Sequence, residues 1–533
     1  MWRQFTYNSA KYARFILRRD RIRIPVWIIA LLAITLAVVP YFHQMSTTGE
    51  AEAMAQAMNN PAVIAMVGPA YGLEDYHTGA MMAHQMLLMT AFAVAVMSIM
   101  LVVRHTRADE EQGRLEMFRS LPVGRLSNLN ATLLVMFAVN VVMAVIFGLS
   151  MYAMGIESMD FNGSMLYGAA LGATGFIFAA ITAFFAQLTE TSRGAMGYSF
   201  AALGVLYVIR GIGDVSSEAL SWTSPLGWII RTETYVNNYW WPIVLTVGAG
   251  VVISAAALYL NSIRDLDAGF IAAKPGPKHA SFLLRSPLGL ASRLQKGVII
   301  GWGATIFLFG ASYGSVLGDV EEYFATNELV QRMLPVVEGY TFAELFLTML
   351  MFVLAVTCAI PVVLMVFKLK GEESNNRTEP IYARAVSRTR MLGSYLLLSL
   401  AFGAIMLFLS ALGLWSLGTA VMETPMAFTT VFNAAMVYLP AMWIMTGLSV
   451  LVLGVYPQFS PVVWIYLGYS FFVTYFGGIL QFPEWVLSST HFSHIPQLPT
   501  DEVNFTVLIV MTLVAVALTA AGLVGYRRRD IQG

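Results

Sequence analysis

Twelve apolar stretches, each close to or beyond the length a helix needs to cross a bilayer, run through this chain of 533 residues. They cover 24–42, 82–103, 129–153, 164–188, 195–210, 240–261, 297–317, 342–367, 391–418, 427–454, 459–480 and 503–526. A hydrocarbon core of about 30 Å takes roughly 20 apolar residues of helix, whereas a barrel strand reads as about ten residues of strict alternation. The runs are of the first kind. With 58% hydrophobic residues, 12% charged residues and a mean hydropathy of +0.68, the chain is also too apolar for a soluble domain. The expected fold is an all-α integral membrane protein of about twelve transmembrane helices, arranged as two parallel six-helix repeats. Residues 1–261 form the first half, 262–294 a cytoplasmic linker containing Lys274, Pro275, Gly276, Pro277 and Lys278, and 295–533 the second half.

Charge placement fixes an orientation. If the N-terminus is cytoplasmic and the chain alternates sides, 28 of the 31 Lys and Arg residues fall inside, leaving only Arg210, Arg231 and Arg332 outside. Acids concentrate on the other side, among them Glu50, Glu52, Asp319, Glu321 and Glu322. The zero net charge is therefore a cancellation between two faces, sorted as the positive-inside rule requires. Both termini are expected in the cytoplasm, and the membrane is expected to be the plasma (inner) membrane.

The first apolar stretch follows Arg18, Arg19, Arg21 and Arg23, but no small-residue cleavage site follows it, so it reads as a membrane helix rather than a signal peptide. Before it, Phe5, Tyr7, Tyr12, Phe15 and Ile16 among Arg and Lys fit an amphipathic helix in the cytoplasmic interface. The single cysteine, Cys358, excludes a disulfide framework or a cysteine metal site.

One charge-dense segment occurs twice. Asp109, Glu110, Arg114, Glu116, Val123 and Arg125 are each matched 263 positions later by Glu372, Glu373, Arg377, Glu379, Val386 and Arg388. Each copy lies between two apolar stretches and so forms a hydrophilic cytoplasmic hairpin, the natural place for a soluble partner to dock. Leu115 and Phe118, three apart, suit the knob of a short helix, with Thr378 and Ile381 as counterparts. Ordinary solvated charges at helix ends and membrane-surface anchoring are the competing explanations.

The run from Arg104 to Glu116 with Pro122, Val123, Gly124 and Arg125, and its partner Arg377, Thr378, Glu379, Pro380 with Val386, Ser387 and Arg388, resembles the permeases of type-2 ATP-binding-cassette exporters. The fused permeases described as exporters of polyketide antibiotics and other drugs look most similar, and the resemblance covers essentially the whole chain. It implies outward movement of amphipathic compounds, coupled through both hairpins to a separate ABC ATPase, and the duplication of the hairpin implies two copies of that ATPase per chain. In such families the hairpin after the second helix of each half inserts into the ATPase. The coupling set would then be Glu110, Arg114, Leu115, Glu116, Phe118 and Arg125 in one hairpin, and Glu373, Arg377, Glu379, Ile381 and Arg388 in the other. The second copy lacks the glycine and the Pro-Val-Gly closure of the first, so the two hairpins are expected to contact their ATPases unequally.

The residues themselves point the same way on energy. No Gly-x-x-x-x-Gly-Lys-Ser/Thr loop occurs, so ATP and Mg are expected in the partner and no cofactor on this chain. An ion-driven transporter needs ionisable groups inside the bilayer, each costing about 2.5 to 3.5 kcal/mol on insertion scales. Of the acids, only Glu344 falls within an expected span. A secondary transporter, a non-transporting scaffold or sensor, and a membrane enzyme stay as alternatives, although no catalytic constellation stands out and nucleic-acid binding is not suggested. Met82, Met86 and Met89, with Met81, Met97 and Met100 on the same helix, suit either a substrate pathway or plain packing and lipid contact. His84 and Glu344, near the outer ends of the second helix of each half, are candidates for a polar gate. His491 and His494 lack a third ligand and read as structural rather than metal-binding.

Overall fold

The computed structural model describes residues 6–48, 51–59, 61–265, 267–271, 278–318, 340–384, 386–422, 425–480 and 482–530. Phe5, Glu50, Asp319, Glu321, Glu322, Arg332, Lys274, Pro275, Gly276 and Pro277 lie outside them. Two compact units result, Met1–Gly276 and Pro277–Gly533. Among the described residues the chain is helical and forms no strand beyond one isolated bridge between Thr189 and Ile271.

The first unit opens with the surface helix α1 (Ser9–Arg19) and continues with α2 (Arg23–Thr48) and α3 (Thr78–His105). The hairpin follows as two short helices, α4 (Arg107–Glu111) and α5 (Arg114–Arg119), and then come α6 (Ser127–Tyr152), α7 (Phe161–Leu188), α8 (Ser192–Ser216) and α9 (Trp241–Ile263). In the second unit α10 (Pro287–Gly314), α11 (Phe342–Ser374), the hairpin helix α12 (Glu379–Tyr382) and α13 (Arg388–Val421) precede α14 (Phe428–Met436), α15 (Leu439–Val455), α16 (Ser460–Leu480) and α17 (Phe505–Arg528). Eleven helical stretches among the described residues are long and apolar enough to cross a bilayer, and α16, with 21 residues, stands at the position of the eleventh expected span. The tenth span is one apolar stretch in two helices, because Pro440 at the start of α15 cannot donate the bond that would continue α14.

Burial divides these helices into inner and outer ones. Most of α3, α7 and α11 is buried, whereas less than a quarter of the apolar stretch of α2, α9, α10 and α17 is. Outward residues such as Ile29, Ile34, Val244, Val252, Leu308 and Leu513 are large and apolar, which water would penalise and acyl chains accept. Where helices touch, small residues bring backbones together. A Cβ on Gly413 of α13 would lie 2.2 Å from the carbonyl oxygen of Phe307 in α10, and one on Gly454 of α15 only 2.0 Å from that of Gly522 in α17.

The helix at the fifth expected span, 195–210, is longer than that span: α8 starts at Ser192 and runs on to Ser216, and Arg210 and Asp214 both lie within it with fully buried side chains. They form an i,i+4 ion pair at 3.1 Å, Arg210 also donating to the carbonyls of Ala65 and Met66. The buried pair was illegible because hydropathy counts each charge as a cost, while two opposite charges four apart neutralise one another on one helix face.

Candidate functional site: the two laced hairpins

In the first hairpin, α4 follows α3 after Thr106, and the chain turns at Gly113, whose φ of +68° is the left-handed conformation an ordinary side chain resists. The equivalent turn in the second hairpin is made at Asn376, φ +56°, and asparagine is the residue that visits this region most readily after glycine. The glycine missing from the second copy is thus replaced in function.

Each acid of the first hairpin has a different task. Asp109 is buried and accepts a two-pronged bond from Arg19 of α1, at 2.6 and 2.8 Å, and a third at 3.1 Å from Arg114. Fork-to-fork pairing of this kind fixes orientation as well as distance, and its bond to Asp109 raises the Arg19 pKa above the ordinary guanidinium value. Glu110, also buried, lies 3.1 Å from Arg107 and 3.0 Å from Arg264, and accepts the backbone N–H of Asp267 at 2.9 Å. Glu111 caps the start of α8, accepting from the backbone N–H and the hydroxyl of Ser192 at 2.9 and 2.6 Å. On the closing leg, Arg125 donates to the carbonyl of Arg264 at 2.8 Å. Gly124 N–H and the Ser127 hydroxyl both donate to Tyr7 O, at 3.0 and 2.7 Å, tying the loop to the segment before α1.

The second hairpin repeats the scheme with its own residues. Glu372 lies 2.6 Å from Lys368 and 3.5 Å from Arg377, as Asp109 lies against Arg114. Buried Glu373 accepts from the Tyr526 hydroxyl and lies 2.5 Å from Arg529. Arg388 donates to the carbonyl of Arg529 at 2.6 Å. In α12, Tyr382 shares a 2.7 Å hydrogen bond with Tyr526, and burial raises the Tyr382 pKa.

The expected coupling residues therefore separate into two groups. Buried Glu110 and Glu373, with exposed Arg125 and half-buried Arg388 through their hydrogen bonds to the Arg264 and Arg529 carbonyls, hold each hairpin to its own unit. Leu115 is buried, and Phe118 packs edge-on against Tyr12 and Phe15 of α1, with ring centroids 5.0 and 5.1 Å apart. Ile381 packs against the cluster containing Met391 and Tyr526. Exposed are Arg114, Glu116, Met117 and Leu121 in one hairpin and Arg377 and Glu379 in the other. Neither Glu116 nor Glu379 has a side-chain partner among the described residues.

The candidates on the helices are held locally. Met82 is buried, Met86 partly buried and Met89 exposed, at i, i+4 and i+7 along one stripe of α3. His84 is buried against Tyr71 and Tyr76, with the Tyr76 hydroxyl 3.0 Å from Nδ1 and the Tyr71 N–H donated to Nε2 at 3.3 Å. Glu344 completes a capping box with Thr341 at the start of α11. His491 contacts the Tyr466 hydroxyl at 3.0 Å, and burial lowers its pKa to about 3, leaving the ring neutral at physiological pH.

Sequence reading missed Arg264 and Arg529, the two residues on which the hairpins close. Each follows the last helix of its unit, but a count of inside charges treats them as topology signals alone.

Apolar helices in two units, with a laced polar hairpin after the second long helix of each, define a polytopic all-α membrane protein. The family described as Multidrug efflux system permease Rv1217c, C-terminal domain, matches residues 12–260 and 284–527. The Multidrug efflux system permease protein Rv1217c of Mycobacterium tuberculosis (strain ATCC 25618 / H37Rv) is 34% identical over 527 residues, covering 97% of this chain and 94% of that protein. The chain belongs to this family of multidrug efflux permeases.

Proposed function

We propose that the chain is the membrane subunit of an ATP-driven exporter that moves amphipathic, drug-like or antibiotic compounds out across the plasma membrane. Two copies of a separate ATPase dock on the two hairpins. The observation that carries this reading is the pair of hairpins, each laced at its base by buried ion pairs and each presenting an exposed glutamate that has no side-chain partner among the described residues. A partner that pushes on a hairpin needs both: a contact surface, and a base that does not yield.

The buried Arg210–Asp214 pair does not favour ion-gradient coupling, because each charge is already neutralised by the other and by hydrogen bonds. A group that carries protons through a cycle has to be free to change its charge. The purified chain is expected neither to bind nor to hydrolyse ATP and to co-purify with two copies of a soluble ATPase. Hydrolysis by the chain alone, or a stable one-to-one complex, would overturn the proposal.

Cytoplasmic placement of both hairpins and both termini is part of the same reading. In a Cys358→Ala background, single cysteines at Gln112 and Asn375 are expected to resist an impermeant thiol reagent in intact cells, and those at Ser217 and Ser489 to react. Labelling of either hairpin from outside would remove the docking argument.

A further inference from the structure

Each hairpin is gripped twice by one residue, the arginine just beyond the last long helix of its unit. Arg264 holds Glu110 on the descending leg by its guanidinium and receives Arg125 from the closing leg at its carbonyl. Arg529 does the same with Glu373 and Arg388. The positions on the hairpin are repeat-related, and the two clamps share no residue. A junction fixed at two points on one residue resists pivoting, so a displacement of the hairpin moves that residue and the helix behind it. Glu373 is buried, and separating it from Arg529 would strand its charge away from water; buried Glu110 is held by Arg107 as well as by Arg264, so both joined arrangements hold while the hairpin moves.

Resting on the ATPase reading above, we propose that the Glu110–Arg264–Arg125 and Glu373–Arg529–Arg388 clamps are positioning contacts that pass each hairpin's displacement to the last helix of its own unit, α9 and α17. The substrate path then responds to the terminal helix of each half as well as to the hairpin's own flanking helices.

The second clamp is the better one to test, because among the described residues Glu373 pairs with no second arginine, as Glu110 does with Arg107. Efflux and ATP hydrolysis are read in the same membrane vesicles carrying the chain with its ATPase, together with the amount of chain present. E373R and R529E singly are expected to lower efflux roughly tenfold while hydrolysis stays within about twofold. The exchange E373R/R529E is expected to recover most of the efflux. E373Q, which keeps an acceptor for Tyr526 but loses the charge, is the milder variant and is expected to uncouple at normal abundance. Full coupling in E373Q, or efflux and hydrolysis falling together at normal abundance, would overturn the proposal. ATP-independent efflux by the unaltered chain would instead overturn the underlying reading, and this inference with it.

Discussion

The double variant Glu116→Lys, Glu379→Lys is expected to lose drug efflux by about tenfold or more, a change of at least ~1.4 kcal/mol in coupling, while its level in the membrane stays within about twofold of the unaltered chain. The second half of that expectation comes from the fold. Both side chains are exposed and have no partner among the described residues, so reversing them breaks no contact within the chain. Surface substitutions of that kind usually change stability by under about 0.5 kcal/mol. The first half comes from the partner, since opposing like charges across an interface costs several kcal/mol. Each single reversal should have a smaller effect, because the other hairpin still engages. Normal efflux in the double variant would mean that these are only solvated charges.

Asp214→Ala is expected to have the largest effect on stability of any single change considered. Asp214 is fully buried, 3.1 Å from Arg210 and 3.7 Å from Arg231, and accepts the Ser221 hydroxyl at 2.5 Å. Removing it leaves Arg210 with two backbone carbonyls and no counter-charge, and breaking a buried pair from one side typically costs about 3 to 5 kcal/mol. Thermal unfolding in detergent should occur several degrees lower, and Asp214→Asn, which keeps the bond to Ser221, should recover part of the loss. A midpoint within a degree of the unaltered protein would show the pair to be energetically idle.

Much of the architecture was legible because bilayer thickness imposes a length that few other constraints imitate. The hairpins were legible for a different reason: recurrence at one offset ties Glu110 to Glu373 and Arg125 to Arg388 without any knowledge of contacts. What the chain order concealed was direction. Glu110 and Glu116 are equally acidic in sequence, yet one is buried against Arg264, 154 positions away, and the other is exposed. Leu115 and Phe118 read as an outward knob for the same reason, whereas α1 supplies Tyr12 and Phe15 to cover Phe118 from the inside. The Arg210–Asp214 pair was hidden by its own neutrality.

The contacts of Arg264, Asp267 and Ala268 bear on how this chain can be divided. By composition these residues belong to the connector between the halves, but Asp267 N–H donates to Glu110, and the Ala268 carbonyl accepts from Arg107 and Arg264 at 2.8 and 2.6 Å. Their membership is decided by partner, not by position along the chain. Two separately expressed fragments cut at residue 262 would leave the first fragment with an unclasped loop and the second with a stray basic leader. A cut beyond residue 271 would give each fragment a finished fastening of its own.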